Sequence, residues 1–142
     1  MDFFSALRTS ASGLTAQRTR LDVATSNLAN MESTRTPEGG PYRRKDPVLE
    51  AVPFDGVLEG VAQDSGARAV RVAEIQQDES PARQVYLPSH PDADARGFVS
   101  LPNVDPVHEV VNLVSAQRSY EANATAFETL KALAARALDI MR

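Results

Sequence analysis

All nine prolines of this 142-residue chain fall between Pro37 and Pro106, and six of its seven glycines lie there too. Proline removes a backbone donor and clashes with the preceding turn, so helix interiors exclude it. Residues 1–36 and 107–142 are therefore free to form long helices, while the middle is broken into short pieces. The expectation is a mainly α fold, with two long terminal helices forming a coiled-coil-like layer around a small irregular, β-containing insert. The divisions are an N-terminal helix over residues 1–34, an insert over 35–105 and a C-terminal helix over 106–142.

Leucine patterning sharpens the first helix. Leu7, Leu14, Leu21 and Leu28 recur at intervals of seven, flanked by Phe4, Ala11, Arg18 and Thr25. A strict seven-residue repeat drifts about 20° per heptad on a straight helix, so it implies supercoiling around a partner. The apolar stripe is narrow, closer to a coiled-coil seam than to a globular core face. An ordinary amphipathic helix within a single domain is the simpler alternative. Gly13 interrupts the run and either weakens the helix or permits close helix approach.

The last zone opens with Asp105 as an N-cap, Pro106 at the first helical position and Glu109 in the first turn. Leu113, Tyr120, Phe127, Ala134 and Met141 again repeat every seven residues. An antiparallel hairpin of two such helices has too little apolar width to bury both seams, so neighbouring chains are expected to complete the core. Between the helices, "TRTPEGGPYRRKDP" reads as a loop or arm. "YRRKDPVLEAVPF", residues 69–78 and residues 82–88 read as strands of a small antiparallel sheet or hairpin, and "PSHPDADARG" as an exposed turn.

Chemistry is sparse. The absence of cysteine removes disulfides, thiolate metal sites and cysteine nucleophiles. A net charge of -4 argues against general nucleic-acid binding. No phosphate-binding, zinc-protease or nucleophile-elbow motif occurs. His90, Asp92 and Asp94 alternate like metal ligands but lack the glycine and distal glutamate of a calcium loop, and read as a solvated turn. His108 reads as a surface or interface residue and the Asn123–Thr125 sequon as chance. The basic patch of Arg43, Arg44 and Lys45, beside Tyr42, either docks an acidic partner surface or, as the preferred reading, is solvated. No catalysis, cofactor, metal or small-molecule substrate is expected. The N-terminus lacks a basic, continuously apolar leader, and no run reaches the roughly 18 apolar residues of a membrane helix. The chain is expected to stay in the cytoplasm or to leave by a route that reads no cleaved signal.

Two stretches carry a specific resemblance. "SALRTSASGLTAQRTRLDVATSNLANMEST" is similar to the N-terminal signature of the bacterial flagellar rod and hook family. Its asparagine-rich helix end falls on Ala24, Asn27, Leu28, Ala29 and Asn30, with Thr34 following. "NVDPVHEVVNLVSAQRSYEANATAFETLKALAARALDI" resembles the partner helix, with its recurring word on Arg118, Tyr120, Ala122 and Asn123. Residues 1–34 and 84–142 carry the likeness, and residues 35–83 match weakly. "NLANMEST" departs slightly from the usual Val-Asn-Thr-like continuation. The short length and "PSHPDADARGFVSLPNVDPVHEVVNL" point to a proximal-rod member.

That resemblance implies a subunit exported unfolded by the flagellar type III apparatus, without a cleaved signal, which polymerises with itself and other rod subunits. The product would be the torque-transmitting rod that spans the periplasm in the basal body. It also implies terminal helices that are poorly ordered before assembly and form an inner helical layer afterwards. The residues expected at the assembly interface are Leu7, Leu14, Leu21, Leu28, Leu113, Tyr120 and Phe127, with Asn27, Asn30 and Asn123 setting register and neighbour choice. Helix termination alone is the competing account of Asn27 and Asn30. The rival functional class is a soluble coiled-coil adaptor or export chaperone, folded as a discrete oligomer with protected helical ends.

Overall fold

Both proline-free ends form helices, α1 over Phe3–Ala29 and α2 over Pro106–Ile140. The computed structural model of the chain describes residues 3–53 and 68–140. Met141, the last expected heptad position, and residues 54–67 of the expected insert lie outside the described residues. α2 starts as its sequence dictates: Asp105 Oδ1 accepts the Val107 amide at 3.0 Å, and the Asp105 carbonyl accepts the Glu109 amide at 3.0 Å. α1 ends at an asparagine. Asn30 Nδ2 donates to the Ser26 carbonyl at 2.9 Å, while Asn30 Oδ1 accepts the Ser33 hydroxyl at 3.1 Å. The side chain thus takes up a terminal carbonyl and starts the turn that leaves the helix.

Among the described residues, four strands lie between the helices: β1 (Lys45–Pro53), β2 (Arg68–Gln77), β3 (Arg83–Tyr86) and β4 (Phe98–Leu101). They form two separate antiparallel pairs, β1 with β2 and β3 with β4. The longer pair runs from Lys45 opposite Gln77 to Pro53 opposite Arg68, with a register shift between Val48 and Leu49. Pro47 and Pro53 are tolerated in β1 because a two-stranded pair consists only of edges. β3 and β4 are joined by a loop closed by the Leu87 amide donating to the Gly97 carbonyl at 2.9 Å. Gly97 sits at φ +84, and a Cβ there would lie 2.8 Å from Tyr86 Cε2. Glycine is required at that point on both counts.

The core is narrow. Among the described residues, its buried apolar side chains are Ala16, Val23, Ala24, Val99, Val104 and Ala116. The bulkiest fully buried side chain among the described residues is a carboxylate, Glu109, at 1% exposure. Burial of an unpaired carboxylate is prohibitively costly, so its partners decide how the helices and insert meet.

Candidate assembly interface

One polar cluster joins the end of α1, the start of β1 and the first turn of α2. Asn27, fully buried on α1, donates from Nδ2 to the Lys45 carbonyl at 2.8 Å and to Glu109 Oε2 at 3.1 Å. Its Oδ1 accepts the Lys45 amide at 2.9 Å and the Tyr42 hydroxyl at 2.9 Å. All four bonding positions of the amide are filled. Glu109 Oε1 in turn accepts Arg44 Nε at 2.6 Å, and the Arg44 amide donates to Asn103 Oδ1 at 3.1 Å. Burial opposes the charge on the Arg44 guanidinium, but the Glu109 carboxylate outweighs it and holds its pKa above the ordinary arginine value. The Arg44 side chain is 15% exposed, so it is not the solvated residue the basic patch suggested.

The helices meet along small residues. The buried positions of α1 are Gly13, Ala16, Val23, Ala24 and Asn27, facing Glu109 and Ala116 of α2 in an antiparallel pair. At Gly13 the approach is close: a Cβ there would lie 3.1 Å from both Asn123 Nδ2 and Oδ1. Fourteen residues separate Gly13 from Asn27, and fourteen separate Glu109 from Asn123, so one register links both contacts. α1 also touches the insert, where Ser12 Oγ accepts the Val70 amide at 3.1 Å and Thr9 Oγ1 donates to the Arg68 carbonyl at 3.4 Å.

The leucine repeat does not coincide with this small-residue seam. At 3.6 residues per turn, Leu7, Leu14, Leu21 and Leu28 lie about a third of a turn away from Gly13, Ala16 and Asn27. All four leucines are half-buried, and the flanking Phe4, Ala11, Arg18 and Thr25 are exposed. α1 therefore carries two seams: small residues turned to α2 of its own chain, and a heptad row left partly open. On α2, Leu113 and Phe127 are half-buried and Tyr120 is 37% exposed. Asn123 is half-buried, donates to the Ser119 carbonyl at 2.9 Å and faces Gly13. Val107, Val110, Val111 and Val114 form an exposed apolar row on its first turns.

The expected asparagines thus divide their work. Asn27 is a buried junction residue, whereas Asn30 acts locally at the helix end and Asn123 supports the close helix approach. The sequence put Glu109 in a helix first turn and Arg44 in a basic patch, and brought neither of them, nor Tyr42, to this junction. Only the opposite charges of Arg44 and Glu109 hinted at pairing, and 65 residues separate them. His90, Asp92 and Asp94 belong to turn bonding: His90 Nδ1 accepts the Asp92 amide, Asp92 accepts Thr34 Oγ1 and pairs with Arg35, and Asp94 Oδ1 accepts the Arg96 and Phe98 amides. Among the described residues, no group of three or more His, Cys, Asp or Glu residues is placed to hold a metal ion, and no helix is long and apolar enough to cross a membrane.

Comparison with known proteins agrees with this two-ended architecture. Residues 7–35 match the family model described as flagella basal body rod protein, and residues 95–140 match the flagellar basal body rod FlgEFG protein C-terminal model. The flagellar basal-body rod protein FlgC of Bacillus subtilis is 47% identical, with 99% of each chain covered. FlgC of Borreliella burgdorferi is 42% identical over 100% of this chain and 99% of the relative. FlgC of Aquifex aeolicus is 44% identical over 98% and 97% respectively. With both helical ends matched and near-complete coverage at this identity, the chain belongs to the flagellar basal-body rod protein FlgC family of structural, non-enzymatic rod subunits.

Proposed function

We propose that this structural subunit of the flagellar basal-body rod polymerises through the open heptad row of its N-terminal helix. The observation that carries the proposal is the separation of the two seams. α2 takes the small-residue face of α1, while the leucine row of seven-residue spacing remains half-buried with exposed flanks. A sustained seven-residue apolar repeat is satisfied by a second helix wrapped along it. Neighbouring subunits supply that helix, with Leu113, Tyr120 and Phe127 of α2 contributing to the shared layer. Heterologous contacts of this kind propagate into a helical tube rather than closing into a dimer.

The finer assignments follow the family: a place in the proximal rod, delivery by the flagellar type III export apparatus and a rod that crosses the periplasm to transmit torque. Asn27 and Asn123 set register within the chain, and the leucine row chooses the neighbour.

Replacing Leu14 and Leu21 together by Asp tests the proposal in cells. The expected result is a protein that is made and exported but builds no rod, with motility lost. Normal swimming would overturn the assignment of this row to assembly. A soluble adaptor or export chaperone would instead be recovered as a discrete oligomer with protease-resistant helical ends.

A further inference from the structure

The Lys45 end of the β1–β2 ladder sorts its charges by side. Residues directly opposite in an antiparallel pair share a face, and successive residues alternate between faces. Lys45 stands opposite Gln77, Asp46 opposite Gln76 and Val48 opposite Glu74, so Lys45 belongs to one face and Asp46 and Glu74 to the other. On the first side, Arg43 and Lys45 line a groove with Tyr42, Arg35 and Glu38. Arg35 is paired with Asp92, and the Lys45 ammonium stands 5.7 Å from the centre of the Tyr42 ring. Among the described residues, neither Arg43 nor Lys45 forms an ion pair with a carboxylate.

The second side is acidic. The Arg44 carbonyl accepts the Asp78 amide at 2.8 Å, which carries the pairing one residue past the strands. Asp46, Asp78 and Glu79 line a second groove there. Its cation, Arg44, is held by Glu109 at 2.6 Å and reaches Asp46 only at 3.4 Å. Asp46, Glu74 and Glu79 are exposed. Farther along the ladder, Glu50 and Arg71 neutralise each other at 2.9 Å. Charges that merely guard a sheet edge against pairing need no such sorting by sign.

We propose that these two sides are complementary docking faces through which one copy of this chain meets the next in the rod. Arg43 and Lys45 of one copy lie against Asp46, Glu74, Asp78 and Glu79 of its neighbour. The inference rests on the assembly reading above and adds a contact carried by the insert rather than by the helices. Because the two faces differ and point apart, the contact runs head to tail and leaves an unused face at each end, as a growing tube requires. Exposed ion pairs add little strength, so the faces choose the neighbour and its orientation while the helices supply apolar burial.

Rods assembled in cells test the proposal. The chain has no cysteine, so introduced thiols report on it without background from other copies. Cells co-expressing an Arg43→Cys chain and a Glu79→Cys chain, tagged to differ in size, yield basal bodies that are treated with a short bismaleimide. The expected product joins one chain of each kind, and neither variant expressed alone gives a dimer. A dimer of two Arg43→Cys chains would reveal a two-fold contact and refute the proposal, as would the absence of any crosslink in rods that have formed. Charge reversal gives an independent measurement. Arg43→Glu with Lys45→Glu sets like charges together and should abolish swimming, as should Glu74→Lys with Glu79→Lys. All four changes in one chain exchange the signs of both faces and should restore swimming. No recovery would place the basic face against a different partner, and the proposal would fall. The two readings fail separately: rods built by the Leu14→Asp and Leu21→Asp chain sink the helical row alone, and missing crosslinks in rods with native helices sink these faces alone.

Discussion

Asn27 and Lys45 are joined by a double hydrogen bond in which one side-chain amide meets the backbone of another segment. Asn27 Nδ2 donates to the Lys45 carbonyl at 2.8 Å, and Asn27 Oδ1 accepts the Lys45 amide at 2.9 Å. The helix thereby supplies the first residue of β1 with the pairing that a neighbouring strand would provide. Ala at position 27 would leave the Lys45 amide, the Tyr42 hydroxyl and Glu109 Oε2 each short of a partner. Asn27→Ala is expected to cost about 3 kcal/mol of folding stability. Asn27→Asp should cost more, since it sets a second carboxylate against Glu109. Denaturant unfolding checks both, with a midpoint shift at constant slope as the signature.

Arg44 and Glu109 should behave as a coupled pair. Removal of either partner leaves the other charge under-compensated in a buried position, so Arg44→Ala and Glu109→Ala are each expected to destabilise by about 3 kcal/mol. The double replacement Arg44→Ala with Glu109→Ala should cost clearly less than the sum of the two single losses. A double-mutant cycle measures that coupling, and strict additivity would show that the pair contributes nothing beyond its separate contacts.

Gly13 offers a test of close helix packing. Gly13→Ala gains about 1 kcal/mol of helix propensity but demands that Asn123 move by a few tenths of an ångström. Gly13→Val adds branches that the Asn123 amide has no room to accept, and should lower the melting temperature. Combining Gly13→Ala with Asn123→Ala removes the opposing atoms and should recover the propensity gain. Thermal melts of the single and combined variants decide the sign.

Before it reaches the helices, acid should loosen the turn that docks, through Thr34 and Arg35, on the segment following α1. Asp92 is held below the ordinary carboxylate pKa chiefly by the Thr34 hydroxyl, with Arg35 adding to the effect. Asp94 is held below it chiefly by the Phe98 amide. A carboxyl depressed in the folded state adds stability above its unfolded pKa, and that stability is lost as pH falls through the folded value. The loss therefore begins near the ordinary aspartate pKa of about 3.9 and completes below it. Side-chain carboxyl titration by NMR should show both midpoints below that of an unstructured aspartate. Thr34→Val should raise the Asp92 midpoint toward it.

The sequence by itself determined the two helices, their capping and the position of the β-containing insert. These features follow from local physics: proline confined to the middle, Asp105 and Pro106 at a helix start, and β-branched residues around Val70 and Val85. It also displayed the leucine repeat, because spacing along a helix is fixed by its pitch. Only the tertiary structure decided which face of α1 meets α2. Both faces are compatible with a helix, and the small-residue face won within the chain because Gly13 and Ala16 allow close approach. The tertiary structure likewise made Arg44 and Glu109 a buried pair across 65 residues of sequence. Charge pairing at such separation leaves no periodic trace, and the same two residue types on a surface would read identically.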